Sequence, residues 1–115
     1  MEKQIIQNLA LSVRQPFAEQ IMQGTKKIEY RNMLTRIRGT VYIYASKTPK
    51  LEAYEKMKVE PGTFPVSVLV GTVEIVDCKE GWRDFHWLLA NPKRLETLIV
   101  PEGHPQPVWF KPFKE

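Results

Sequence analysis

The sequence predicts an α+β fold: a small mixed β-barrel of about five or six strands with short peripheral helices, formed by a single domain over residues 1–115. Three observations carry that prediction. Runs with strand texture are separated by short amphipathic segments, so helices are inserted between strands that bend. Gly71 lies in the middle of the longest β run, where it marks a bulge or sharp bend of the kind that curls a sheet. A chain of 115 residues, 43% hydrophobic and 26% charged, has material for one core and no more.

Taken in order, Leu9, Leu11 and Val13 alternate with Ala10, Ser12 and Arg14, which reads as a short strand. Pro16 suits the first position of a helix and Gly24 the position just past its end, with Phe17, Ala18, Ile21 and Met22 as the buried stripe. A short strand follows, placing Ile28 and Tyr30 on one face and Lys27, Glu29 and Arg31 on the other. Arg36, Arg38 and Gly39 mark a basic turn. Residues 39–46, rich in β-branched and aromatic side chains, form the strongest strand, with Val41, Ile43 and Ala45 opposite Tyr42, Tyr44 and Ser46. Residues 49–58 read as a helix, Glu60-Pro61-Gly62 as a turn, and Val66–Val76 as a long strand. Residues 81–91 read as a helix on the stripe Trp82, Phe85 and Leu89. Asn91-Pro92 reads as the cap and first position of another, running through Leu98. Residues 107–113 close the chain as an aromatic strand, giving three or four short helices in total.

Composition excludes several classes. No apolar run approaches the roughly 18–20 residues that span a bilayer, so no membrane partner is expected. The opening MEKQIIQNLA lacks the apolar stretch of a secretory signal. A lone Cys78 allows neither an internal disulfide nor a cysteine zinc cluster, and with His86 and His104 as the only histidines no metal or cofactor is expected. A reducing, cytoplasmic setting is the expectation. Residues 1–50 carry nine basic and three acidic side chains, against eight and ten in residues 51–115. That asymmetry hints at a basic face for a polyanion, or at an ordinary solvated surface.

The densest functional signal runs from Ser12 to Arg38. In Gly24-Thr25-Lys26-Lys27-Ile28-Glu29-Tyr30-Arg31 a glycine turn stands beside Lys26, and Glu29 and Arg31 share a strand face. Lysine and arginine suit a phosphate or carboxylate, and Glu29 suits orienting Lys26 or accepting a proton. The plain alternative is that Glu29 pairs with Arg31 or Lys27 on a wet strand face. His86, His104 and Cys78 read as ordinary residues of surface or core, with His104 within possible reach of a cleft rim. Lys47 and Lys50 are equally readable as phosphate contacts or solvated lysines.

Three segments together resemble the ASCH family of the PUA-like superfamily: Leu11-Ser12-Val13-Arg14-Gln15-Pro16-Phe17-Ala18, then Gly24-x-Lys26-x-x-Glu29-x-Arg31, then Arg38-Gly39-x-Val41-x-Ile43-Tyr44-Ala45-Ser46. Every fixed position of the family's Gly-x-Lys-x-x-Glu-x-Arg motif is matched. The run from Gly71 to Asp77 and the closing Pro107-Val108-Trp109-Phe110 also look like its barrel strands. The resemblance implies a cleft beside the first helix that binds RNA or a nucleotide. It assigns Lys26, Glu29 and Arg31 to the motif, Ser12, Arg14 and Gln15 to the bordering segment, and Tyr44 and Ser46 to the opposite wall.

Some small ASCH-type proteins are amidohydrolases on N4-acylated cytidines and use a threonine three residues after the lysine; here that position is Glu29. Others are ribonucleases. The resemblance therefore also admits a hydrolase that uses Lys26, Glu29 and Glu74, the last a carboxylate on a later strand. A reading from a different class is a coactivator-like module with a protein partner, whose mark is an exposed apolar patch away from the cleft.

Overall fold

The computed structural model describes residues 5–115. Its elements follow in the order β1 (Ile6–Val13), α1 (Phe17–Gln23), β2 (Ile28–Arg31), β3 (Gly39–Ala45), α2 (Leu51–Met57), β4 (Val68–Glu80), β5 (Phe85–Ile99) and β6 (Trp109–Phe110). The six strands form one sheet in the order β2-β5-β4-β3-β1-β6. Only β1 and β3 run parallel, with Leu11 opposite Ile43 and Val13 opposite Ala45; the other pairs are antiparallel. The α+β class and the small barrel-like arrangement expected of the PUA-like superfamily are what this mixed, curled sheet displays. Among the described residues no helix is long and apolar enough to cross a membrane.

Burial follows strand alternation. Leu11 and Val13 of β1 and Val41, Ile43 and Ala45 of β3 face a main core that also takes Val73 and Ile75 of β4 and Trp87 and Leu89 of β5. The opposite faces are not wasted on solvent. Ala10, Tyr44, Leu69 and Phe110 form a second cluster, in which Tyr44 meets Phe110 edge-on at 5.2 Å between ring centres. Burying both faces is the reason β3 and the second half of β1 are rich in apolar residues.

Helix α1 packs Ala18, Ile21 and Met22 into the main core against β3, β4 and β5, as its stripe predicts. It stops at Gly24, whose φ of 82° is the left-handed cap that glycine adopts without a Cβ clash. Pro16 is the cap residue rather than the first helical one. The Gln15 carboxamide supplies the missing acceptor, its Oε1 taking the Glu19 backbone N–H at 2.9 Å. In α2, Tyr54 is buried and stacks on Phe64 at 5.7 Å.

The sequence expectation fails over residues 81–98. No helix forms there, leaving two helices among the described residues; Phe85–Ile99 is the longest strand of the sheet. The stripe Phe85–Leu89 fits a helical spacing and also a strand alternation through Trp87, and tertiary packing selects the second. Trp82, the first member of the expected stripe, is 91% exposed in the turn between β4 and β5. Asn91-Pro92 caps nothing: Asn91 has a φ of 52°, and the two residues form a bulge where Thr72 pairs with Lys93 but Glu74 with Ala90. A left-handed asparagine and a proline without an N–H suit a bulge as well as a helix start. The last strand is also shorter than expected, Trp109–Phe110 in place of 107–113.

Gly71 is the bend the sequence announces. Register shifts fall beside it in both β3–β4 and β4–β5 pairing. A Cβ there would strike the Met22 sulfur of α1 and the Lys93 carbonyl of β5. Gly71→Ala is expected to destabilise by at least ~1–3 kcal/mol, as overpacking does, seen as an earlier urea midpoint at unchanged slope.

A bidentate ion pair fastens α1 to β5: Arg94 Nη1 and Nη2 donate to the two Glu19 oxygens at 2.8 and 2.7 Å. The Arg94 hydrogen bonds hold the Glu19 carboxyl below its ordinary 4.5, against an opposing push from burial. A carboxyl depressed by folding contributes stability that is complete above its unfolded pKa and is lost as pH falls through the folded one. Arg94→Met should therefore flatten the fall in thermal stability between about pH 5 and 3. At neutral pH the same change should cost no more than about 1 kcal/mol, since Arg94 is half exposed.

Candidate functional site

The short strand β2 sets the site. It pairs with β5 so that Glu29 lies opposite Trp87, Tyr30 opposite His86 and Arg31 opposite Phe85. Paired residues face the same side of a sheet, so Glu29 and Arg31 share the inner face with Trp87. Glu29 is 7% exposed while Tyr30 is 53% exposed. The polar face of β2 is thus the inner one. The sequence alternative of a wet ion pair is right about the partner and wrong about the surroundings.

Arg31 makes this burial tolerable. Its Nε donates to Glu29 Oε2 at 2.8 Å, its Nη2 donates to the Ser12 carbonyl at 2.8 Å, and its guanidinium lies 5.7 Å from the Trp87 ring centre. Trp87 in turn stacks on Trp109 at 5.8 Å and donates its indole N–H to the Met33 carbonyl at 3.0 Å. Lys26 approaches the other Glu29 oxygen at 3.5 Å. Its ammonium sits between two rings, 5.3 Å from Phe17 and 5.2 Å from Tyr30.

Lys26, Glu29, Arg31, Phe17 and Tyr30 line a cleft of about 910 Å³ beside α1. One wall is the end of β1 with Ser12 and Arg14; the floor carries Lys26, Glu29 and Arg31. The far wall is Tyr44, Ser46, Lys47 and Thr48, and a strap of Pro105, Gln106 and Pro107 closes one side. The strap is held by Ser12, whose Oγ donates to the Gln106 carbonyl at 2.9 Å. Arg14 fixes the opposite loop, donating to the carbonyls of Thr48 and Pro49, both at 2.9 Å. Four cations, Arg14, Lys26, Arg31 and Lys47, face one carboxylate, Glu29, so the lining is net positive.

Of the residues singled out from the sequence, Ser12, Arg14, Lys26, Glu29, Arg31, Tyr44 and Ser46 meet in this cleft. Gln15 and Glu74 do not. Gln15 is 1% exposed, and its carboxamide is committed to the Pro65 carbonyl and to α1. Glu74 lies on β4 outside the cleft and accepts a hydrogen bond from Asn91 at 2.8 Å. The hydrolase set of Lys26, Glu29 and Glu74 is therefore not gathered at one point. His104 is exposed and does not line the cleft, although its neighbours Pro105 and Gln106 do.

Sequence reading missed Phe17 and Tyr30 as the aromatic pair around Lys26, and the strap as a wall. The aromatic pair had a signal. Phe17 follows the Arg-Gln-Pro segment and Tyr30 lies inside the Lys–Arg motif, flanking the lysine on both sides in sequence. Among the described residues, no group of three or more histidine, cysteine or carboxylate side chains is arranged to hold a metal ion.

Glu29→Ala leaves Arg31 facing Trp87 with no carboxylate. The loss expected is about 2 kcal/mol, below the ~3–5 kcal/mol of a fully buried pair because both cations can turn to cleft water. Lys26→Met, which removes the longer and wetter contact, should cost less than about 1 kcal/mol. Chemical denaturation of the two variants checks the order.

Comparison with known proteins places the chain in a family. A family model of the ASCH domain matches residues 11–99, a span that runs from the end of β1 through β5 and holds all but the strap of the cleft. The chain is 26% identical to human Activating signal cointegrator 1 and 24% identical to its mouse counterpart, each over 86% of this chain and 21% of the relative. It thus spans about one fifth of the length of these curated relatives. With its Gly-x-Lys-x-x-Glu-x-Arg turn and strand laid along the floor of the cleft, the chain belongs to the ASCH domain family.

Proposed function

We propose that the cleft binds single-stranded RNA, holding one nucleotide on its floor and the flanking phosphates on its rim. ASCH domains are generally RNA-binding. The observation that carries the reading is the position of Lys26: an ammonium held between the rings of Phe17 and Tyr30 and next to the buried Glu29 carboxylate. A cation, two ring faces and an acceptor at one point match the three parts of a nucleotide. The phosphate meets Lys26, the base stacks on the exposed Tyr30, and Glu29 accepts from a base edge or a ribose hydroxyl. The volume supports it too, since about 910 Å³ lies at the upper end of small-ligand sites and leaves room for more than a base.

Charge sets the expected salt dependence. Arg31 is committed to Glu29, which leaves Arg14, Lys26 and Lys47 for phosphates. Three neutralised phosphates on a single strand give a slope of log K against log salt near −2. Fluorescence anisotropy with short single-stranded RNA in EDTA, at two salt concentrations, measures it. Lys26→Ala should weaken binding at least about ten-fold and flatten the slope by about 0.7. RNA recovered intact on a denaturing gel fits a binding module; RNA cut by the native protein and spared by Lys26→Ala would replace this reading with the ribonuclease one. No binding at low salt would overturn it and leave the protein-partner reading that the cointegrator relatives favour.

A further inference from the structure

A second cavity lies on the other side of Lys26. It measures about 280 Å³, and Lys26 is the residue that lines both it and the main cleft. Its floor is apolar, made by Ile21 of α1, Val73 of β4 and Leu89 of β5. Its rim is polar and basic, made by the turn from Gly24 to Lys27 on one side and by the Ala90-Asn91-Pro92 bulge on the other. Nothing in the mechanism of the main cleft uses it.

We infer that this cavity is a second nucleotide subsite, which takes the base next to the one held in the cleft while Lys26 holds the phosphate between them. The inference rests on the RNA reading of the cleft. Three features of the cavity select a nucleobase. The floor offers aliphatic contact of the kind a flat ring covers, and the volume suits one small ring system rather than a peptide or a lipid. Asn91 donates its amide to Glu74, which leaves the Asn91 carbonyl oxygen without a partner among the described residues and able to accept from a base edge. Lys26 and Lys27 supply positive charge at the mouth, where a phosphodiester joining the two sites must pass. The bulge that defeats a helix at Asn91-Pro92 is then also the wall of a binding pocket. Bulges next to ligand sites commonly serve to re-aim a side chain in this way.

The test compares the four ribonucleoside 5′-monophosphates with the sixteen 5′-phosphorylated ribodinucleotides by isothermal titration, on native protein and two variants. Ala90→Phe fills the cavity without touching the main cleft. Asn91→Gly removes the carboxamide and keeps a backbone that tolerates the φ of 52°. Native protein should bind its best dinucleotide about ten-fold tighter than its best monophosphate. Both variants should lose that advantage and keep monophosphate affinity, which also shows that they are folded. Backbone amide shifts of Lys27, Ala90 and Asn91 should respond to dinucleotide and stay still with monophosphate. Monophosphate binding with no dinucleotide advantage, or an advantage that survives Ala90→Phe, overturns the subsite and leaves the cleft reading standing. Failure of every nucleotide to bind native protein overturns the cleft reading and this one with it.

Discussion

One guanidinium holds this barrel shut. Arg31 belongs to β2, at one edge of the sheet, yet it donates to the Ser12 carbonyl of β1, second from the other edge. Its remaining attachments are the Glu29 carboxylate and the face of Trp87, and Trp87 is stacked on Trp109 of the opposite edge strand. A curled sheet leaves its two edges facing each other with unpaired backbone, and here side chains rather than a seventh strand bridge the gap. Arginine is suited to the task because its planar fork reaches a carboxylate, a carbonyl and an aromatic face at once. The charge would be prohibitive on the inner face of a strand without Glu29, and Glu29 would be prohibitive without Arg31. Each residue of the pair makes the other's place tenable.

The same pairing divides labour among the motif residues. Glu29 and Arg31 are chiefly architectural, since most of their hydrogen-bonding capacity is turned toward each other and toward β1. Lys26 is the member left facing outward, with a long 3.5 Å contact to the carboxylate and two rings around it. A motif that reads in sequence as three equal contributors is thus one anchor, one counter-charge that still lines the cleft, and one outward-facing cation. Ser12 and Arg14 each also fix a loop by its backbone carbonyls, so polar side chains set much of the cleft's outline, while Arg14, bound through Nε and Nη2, keeps its charge and Nη1 for what enters.

Most of the fold was legible because its signals are local. Alternation marked β1 and β3, Gly24 marked the end of α1, and Gly71 marked the bend of β4. Residues 81–98 were not legible, because Phe85 and Leu89 satisfy both periods and only the packing of Trp87 against Trp109, far along the chain, decides between them. At the site, seven of the nine singled-out residues converge on the cleft. The two that do not, Gln15 and Glu74, are polar residues whose sequence neighbourhood looked right. Whether a side chain faces a cleft or satisfies nearby backbone depends on hydrogen-bond partners such as the Pro65 carbonyl and Asn91, which spacing does not show. The strap was hidden for a related reason: its contribution is backbone and proline rings rather than reactive groups.

The first described strand, β1, sits between β3 and the last strand, β6, and Asn8 is fixed by two hydrogen bonds to the backbone of Phe113, 105 residues away. During synthesis β1 can settle against β3 early, but its other edge stays open until that final stretch emerges. At typical elongation rates the interval is roughly 5–20 s. The strap that closes one side of the cleft belongs to the same later segment, so the cleft is complete only once residues 105–113 have been made. The order of synthesis thus makes the closing wall of the cleft the last part of the site to arrive.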